Sequence, residues 1–169
     1  MKKTLTNIGL INPKSPTNVG AVIRAAGCYQ ADNVYYTGKR YDNAAKFNTD
    51  TKNIKDKLPL IAVDDIEHAI ESNVSIVCVD LVEGATPLPY FRHPERALYI
   101  FGPEDGTISQ QVINKADAVV YIPTTGCMNL AATVNVLLYD RMLKLEDFDE
   151  SPELIQKSRD KNNRTKVKS

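Results

Sequence analysis

The sequence predicts an α/β protein in which a parallel sheet carries helices on both faces. Short apolar runs alternate with helix-patterned segments along most of the 169 residues, the signature of repeated βα units. The run VSIVCVDL at 74–81 is nearly unbroken in β-branched and aliphatic residues, as in a strand buried on both faces. Two later segments, ALYIFGPEDGTIS at 97–109 and VVYIPTTGCMNLAATVNVLLYDR at 119–141, each take a strand into a Gly/Pro bend and then a helix. Open α/β sheets bind ligands at the carboxyl ends of their strands, so two adjacent bends of this kind read as a binding cleft.

The elements follow in order. Residues 4–11 form a strand that stops at Asn12–Pro13, and residues 16–29 form a helix with Val19, Val22, Ile23 and Ala26 on one face and Ser15 or Thr17 as its cap. A second strand occupies 33–37. The polar stretch 39–58 is a long loop with a short helix near 42–47, and a third strand spans 60–63. Asp64 and Glu67 are spaced as a capping box for a helix over 64–72. After strand 74–81 comes a loop at 84–94, then strand 97–101, helix 108–115, strand 118–122 and a long helix over 129–146. A dinucleotide fold would place GxGxxG after the first strand; NPKSPTNVG stands there instead, and no Walker sequence occurs.

Length and composition fit one globular domain over 1–150, and the start MKKTLTNIGLINP has too short an apolar stretch for a signal peptide. No run reaches the roughly eighteen apolar residues of a membrane helix, so no membrane partner and a cytoplasmic protein are expected. Cys28, Cys78 and Cys127 lack any CxxC pairing, and His68 and His93 do not complete a metal site with them; no metal is expected, and Cys28 and Cys78 read as small buried hydrophobes. Formal net charge is zero, but residues 151–169 hold six basic side chains against Glu153 and Asp160, a net of +4. Such a segment is expected to be mobile, either as a solubilising tail or as an arm that gathers polyanions.

Several residues are candidates for chemistry. Asn18, Gly20 and Arg24 stand at i, i+2 and i+6 in the first helix; among small apolar neighbours Arg24 reaches for an anion or forms a salt bridge. Glu104, directly after Gly102–Pro103, either favours the next helix N-terminus or fixes a loop or a cation. Asn129 caps the last helix, and Gly126 allows close backbone approach to a ligand. Cys127 has no histidine near it in sequence to activate it as a nucleophile. Lys39, Arg40, Lys46, Lys52, Lys55 and Lys57 interleave with Tyr35, Tyr36, Tyr41 and Phe47, a pattern that suits RNA phosphates and bases or merely a solvated loop.

Together these segments resemble the SpoU (TrmH-type) branch of the SPOUT RNA methyltransferases. Asn18-x-Gly20-x-x-x-Arg24 resembles the first motif of that family, FGPE at 101–104 the second, and IP…MNLA at 122–131 the third. The likeness runs over about 5–145 and is greatest to the small, single-domain, TrmL-like members. Two positions depart from the pattern: Thr107 stands where the second motif carries glycine, and Cys127 where the third carries serine.

The resemblance implies a six-stranded parallel sheet flanked by helices with a deep C-terminal trefoil knot. It further implies a homodimer with the active site near the subunit interface, S-adenosylmethionine as cofactor, and methyl transfer to a ribose 2′-hydroxyl of RNA. Transfer RNA is favoured over ribosomal RNA as substrate; methylation of a base nitrogen and an RNA-binding dimer without turnover are the alternatives. By position, Arg24 would contact the target phosphate or assist the 2′-hydroxyl, Asn18 would orient it or the substrate, Glu104 would brace its loop and Asn129 would shape the catalytic floor. Asp80, Leu81, Gly102, Ile122, Thr124, Cys127 and Met128 would meet the cofactor, largely through backbone, and Lys39, Arg40 and Lys46 would meet RNA.

Overall fold

The computed structural model describes residues 4–46 and 58–168. Its strands are β1 (Leu5–Leu10), β2 (Asn33–Tyr36), β3 (Leu60–Ala62), β4 (Ser75–Val79), β5 (Thr86–Pro87), β6 (Arg96–Phe101) and β7 (Ala118–Tyr121). Its helices are α1 (Pro16–Cys28), α2 (Arg40–Ala45), α3 (Gln110–Ile113), α4 (Leu130–Lys144) and α5 (Pro152–Ser158). The strands form one sheet in the order β3-β2-β1-β6-β4-β7-β5, every pair parallel. The sheet therefore has seven strands where six were expected. The seventh, β5, is two residues long with a proline at the sheet edge, too short to leave an alternation in the sequence.

Alternating side chains of β6 divide the core. Ala97, Tyr99 and Phe101 face a cluster built with Ile8, Leu10, Val19, Val22, Val134, Leu137 and Leu138. Leu98 and Ile100 face the other, smaller cluster with Ile66, Ala69, Cys78 and Ile108. Burial of a two-sided central strand explains why β6 reads as a continuous apolar run. On the larger side α1 packs against α4. The far end of α4 is held by the buried Arg141, whose guanidinium donates to Thr6 Oγ1 (2.9 Å) and to the carbonyls of Pro94 and Glu95 (2.8 Å each). These bonds tie the C-terminal half of α4 to the amino ends of β1 and β6.

Ser15 caps α1 as expected, accepting from the Asn18 N–H at 3.3 Å, and Asn129 caps α4. The helix expected over 64–72 is only a 3₁₀ turn, Ile66–Ala69, and its cap is Asp65, not Asp64. The backbone is extended again at Ile70 and turns left-handed at Asn73 (φ 62°), which leaves no second turn for a capping box to stabilise. Cys78 is buried as expected, its thiol pushed up to about 12 by burial and by the neighbouring Asp80 carboxylate, but Cys28 is exposed because it falls on the outward side of the last turn of α1. The tail contains α5, none of whose residues is buried. Among the described residues no helix is long and apolar enough to cross a membrane.

Candidate functional site

Because β6, β4 and β7 are neighbours, their carboxyl ends lie side by side. The segments leaving them wall an open cavity, about 740 Å³ of space counting its mouth. Val79, Asp80 and Leu81 form the first wall, Phe101, Gly102, Pro103, Glu104 and Gly106 the second, and Tyr121, Ile122, Thr124, Gly126, Cys127 and Met128 the third. Leu130 and Thr133, in the first turn of α4, close the floor. All seven residues expected to meet a cofactor, Asp80, Leu81, Gly102, Ile122, Thr124, Cys127 and Met128, line this one cavity.

Glycine is favoured at two of these positions. A Cβ on Gly102 would lie 3.2 Å from the Ile108 backbone nitrogen, and Gly126 has φ 94°, a conformation that L side chains rarely adopt. Neither Gly106 nor Thr107 has a positive φ, so threonine at 107 costs no backbone strain. Among the described residues the charged lining consists of Asp80 and Glu104. A phosphate-bearing cofactor would meet two carboxylates and no cation there, whereas a cationic one would be favoured.

The residues of the three motifs are joined by hydrogen bonds at the rim. Asn129 accepts through Oδ1 from the Ala131 N–H (2.9 Å) as the α4 cap, and its Nδ2 donates to Asn18 Oδ1 (3.1 Å). Asn18 Nδ2 donates in turn to Glu104 Oε1 (3.2 Å). The Glu104 carboxylate also accepts from the backbone N–H groups of Lys14 (2.9 Å) and Ser15 (3.2 Å). Burial pushes the Glu104 carboxyl up, but these N–H donors, its own N–H and the Asn18 amide outweigh it and hold it below the ordinary carboxylate value. Glu104 thus braces the entry into α1 against the second wall.

Arg24 stands apart. It lies six residues beyond Asn18, about 9 Å along the axis, on the exposed side of α1, and its guanidinium has no hydrogen bond or ion pair among the described residues. Asn18 orients Glu104 and Asn129, not Arg24 of its own chain. Of the expected RNA contacts, Lys39 and Lys46 are exposed at the two ends of α2, whereas Arg40 is engaged internally. Its Nη1 donates to both Asp105 oxygens (3.0 and 2.9 Å), and Nε and Nη2 donate to the Asn12 carbonyl (3.2 and 2.6 Å). Tyr36 and Tyr41 are buried, ring edge to ring face at 5.1 Å, with the Tyr36 hydroxyl donating to Asp42 (2.6 Å); they are core residues, not base-stacking platforms. Phe47, Lys52, Lys55 and Lys57 lie outside the described residues. The clamp Arg40–Asp105 and the lining residues Tyr121 and Thr133 carried no signal of their own in the sequence beyond standing next to the motifs.

A parallel α/β sheet with an acid-lined cavity at three strand ends, two of them opening into glycine bends, has the architecture of a small-molecule-binding α/β protein. A model of the SpoU rRNA Methylase family matches residues 6–139, and the chain belongs to that family. No curated protein matches it. Among solved structures it is similar to the SpoU methyltransferase AviRb from Streptomyces viridochromogenes in complex with AdoMet, at 20% identity and TM-score 0.69, covering 87% of this chain and 60% of that one. It is also similar to a structure reported for the 2-OH methylation of C/U34 on tRNA, at 21% identity and TM-score 0.69, covering 85% and 92%. A third is the A. aeolicus TrmH/SpoU tRNA modifying enzyme, at 18% identity and TM-score 0.67, covering 93% and 85%. The chain thus spans about three fifths of the length of AviRb but nearly all of the C/U34 protein.

Proposed function

We propose that this protein is an S-adenosylmethionine-dependent RNA methyltransferase acting on a ribose 2′-hydroxyl of transfer RNA, of the small TrmL-like kind. The observation that carries the reading is the cavity itself: three adjacent strand ends, two of them opening into glycine bends, whose charged lining among the described residues is acidic, joined to the first helix through Glu104, Asn18 and Asn129. The solved relative bound to AdoMet and the one concerned with C/U34 on tRNA support the same reading. When bound, the cofactor supplies an electrophilic methyl group on a sulfonium. Asp80 and Glu104 give the cavity a field that favours this cation, and the backbone of Gly102, Ile122 and Met128 would hold its adenosine.

Arg24 binds the phosphate beside the target ribose. Its guanidinium is always charged, so it acts by positioning and by stabilising charge, not by taking the hydroxyl proton. It does so from a second copy of the chain. In support, Arg24 shares the outward side of α1 with Ala21 and Cys28, beside α4. There Ala132, Val136, Tyr139 and Leu143, at helical spacing, leave an apolar stripe exposed, Tyr139 by 53%. Burying that stripe against its twin would bring each Arg24 toward the other site. The knotted topology belongs to this reading as well: β7 lies beyond β4, and the chain must return from it along α4 to α1, past the bend that follows β6. Lys39, Lys46 and the basic tail extend the surface for RNA.

Calorimetry tests the reading. S-adenosylmethionine should bind and ATP should not. The Arg24→Ala variant should keep cofactor affinity within about twofold while losing methyl transfer by about a hundredfold or more. Loss of cofactor binding in Arg24→Ala, or binding of ATP in its place, would count against it.

A further inference from the structure

Asp80 is placed unlike any other residue of the cavity. Its backbone N–H donates to the Val120 carbonyl of β7 (3.0 Å), and its own carbonyl accepts from Val82 N–H (3.0 Å). Its carboxylate spans the gap to the second wall: Oδ2 accepts from the Ile108 N–H at 2.8 Å, and Oδ1 from the Leu81 N–H at 2.8 Å. These lengths are those of charge-assisted hydrogen bonds, and no cation pairs with the carboxylate among the described residues. Ile108 is 4% exposed, so its N–H would lose its partner in a dry setting without Asp80. The same nitrogen lies 3.2 Å from the place of a Gly102 Cβ. The pull of Asp80 on Ile108 therefore sets how closely the returning chain approaches Gly102, one of the lining residues.

We infer that Asp80 is a positioning residue for the cofactor: one side chain and one backbone unit tie all three walls of the cavity together, and Asp80 sets cofactor affinity through their spacing. This rests on the reading that the cavity holds S-adenosylmethionine. Each carboxylate oxygen holds a backbone N–H, so this acid braces the walls as well as lending the cavity negative charge. A carboxylate suits the position because two N–H donors converge on it. An asparagine supplies one acceptor oxygen and turns its NH₂ toward the other donor.

The test uses full-length Asp80→Ala and Asp80→Asn. In cofactor-free protein, amide hydrogen exchange should quicken at Leu81 and Ile108 in Asp80→Ala and less so in Asp80→Asn. The dissociation constant and KM for S-adenosylmethionine should rise about tenfold in Asp80→Ala, the loss of a hydrogen bond to a charged group, with Asp80→Asn in between. The loss should fall on the dissociation constant and KM more than on turnover at saturating cofactor. Unchanged exchange at Ile108, an unchanged dissociation constant, or a fall in turnover without loss of affinity would overturn the inference. Should Asp80→Ala fail to fold, Asp80→Asn against wild type decides by the same readouts. If the wild type itself does not bind S-adenosylmethionine, the proposed function fails, while the exchange comparison still decides whether Asp80 braces the walls.

Discussion

Asn129 Nδ2 donates to Asn18 Oδ1 at 3.1 Å across 111 residues of chain, and through this bond the cap of the last long helix is fixed to the first turn of the first. Asn18 passes the connection on to Glu104, so a single amide links the three motif segments. Asn18→Ala should therefore disturb all of them. Methyl transfer is expected to fall by about a hundredfold, the scale of an ångström of misplacement at a reacting centre, while thermal unfolding shows a loss of only about 1 kcal/mol. Steady-state kinetics beside calorimetric melting checks this; a full loss of fold would make Asn18 a structural residue only.

Arg40 separates from the lysines that accompany it in sequence. Its guanidinium holds the Asn12 carbonyl and the Asp105 carboxylate, and so clamps the loop before α1 to the second wall. Arg40→Ala is expected to weaken cofactor binding several-fold. Lys39→Ala and Lys46→Ala should leave cofactor binding alone and weaken RNA binding, with a shallower salt dependence. Cofactor calorimetry and RNA titrations at several salt concentrations distinguish the two classes.

The bends after β6 and β7 were legible because glycine and proline punctuate an apolar run where few other residues can. A cleft at the strand ends followed from them, whereas the individual lining residues, Asp80 and Leu81 among them, came with the family resemblance. What could not be read was set by long-range partners. Arg40 looks like any loop cation until Asp105, 65 residues on, is placed against it. Tyr36 and Tyr41 read as available for bases in the sequence, but their rings pack on each other. That Asn18 is tied to Glu104 and Asn129, 86 and 111 residues away, was likewise out of reach. β5 escaped because two residues carry no period.

His93 gives the fold a pH dependence away from the cavity. Its ring is fully buried; Nε2 donates to Asp140 (2.8 Å) and Nδ1 accepts from the Tyr99 hydroxyl (2.7 Å), with Lys144 also paired to Asp140. Burial pushes the imidazole below its ordinary value, against the pull of Asp140 and with Arg141 and Lys144 opposing the charge as well. A histidine held neutral in the fold binds its proton more readily when unfolded. Its contribution is therefore complete above about pH 6.5 and declines as pH falls toward the lowered value, by at most about 1.4 kcal/mol per pH unit. Thermal unfolding between pH 7 and pH 5 should fall more steeply for wild type than for His93→Gln; parallel curves would contradict this.

The central claim is tested most directly by the methyl group itself. Purified protein is incubated with methyl-labelled S-adenosylmethionine and RNA from a strain lacking the gene, and the modified nucleosides are mapped by mass spectrometry. The expected result is label on a ribose 2′-oxygen in the transfer RNA fraction, absent with Arg24→Ala. Label on a base nitrogen, or bound cofactor with no transfer to any RNA, would contradict the account.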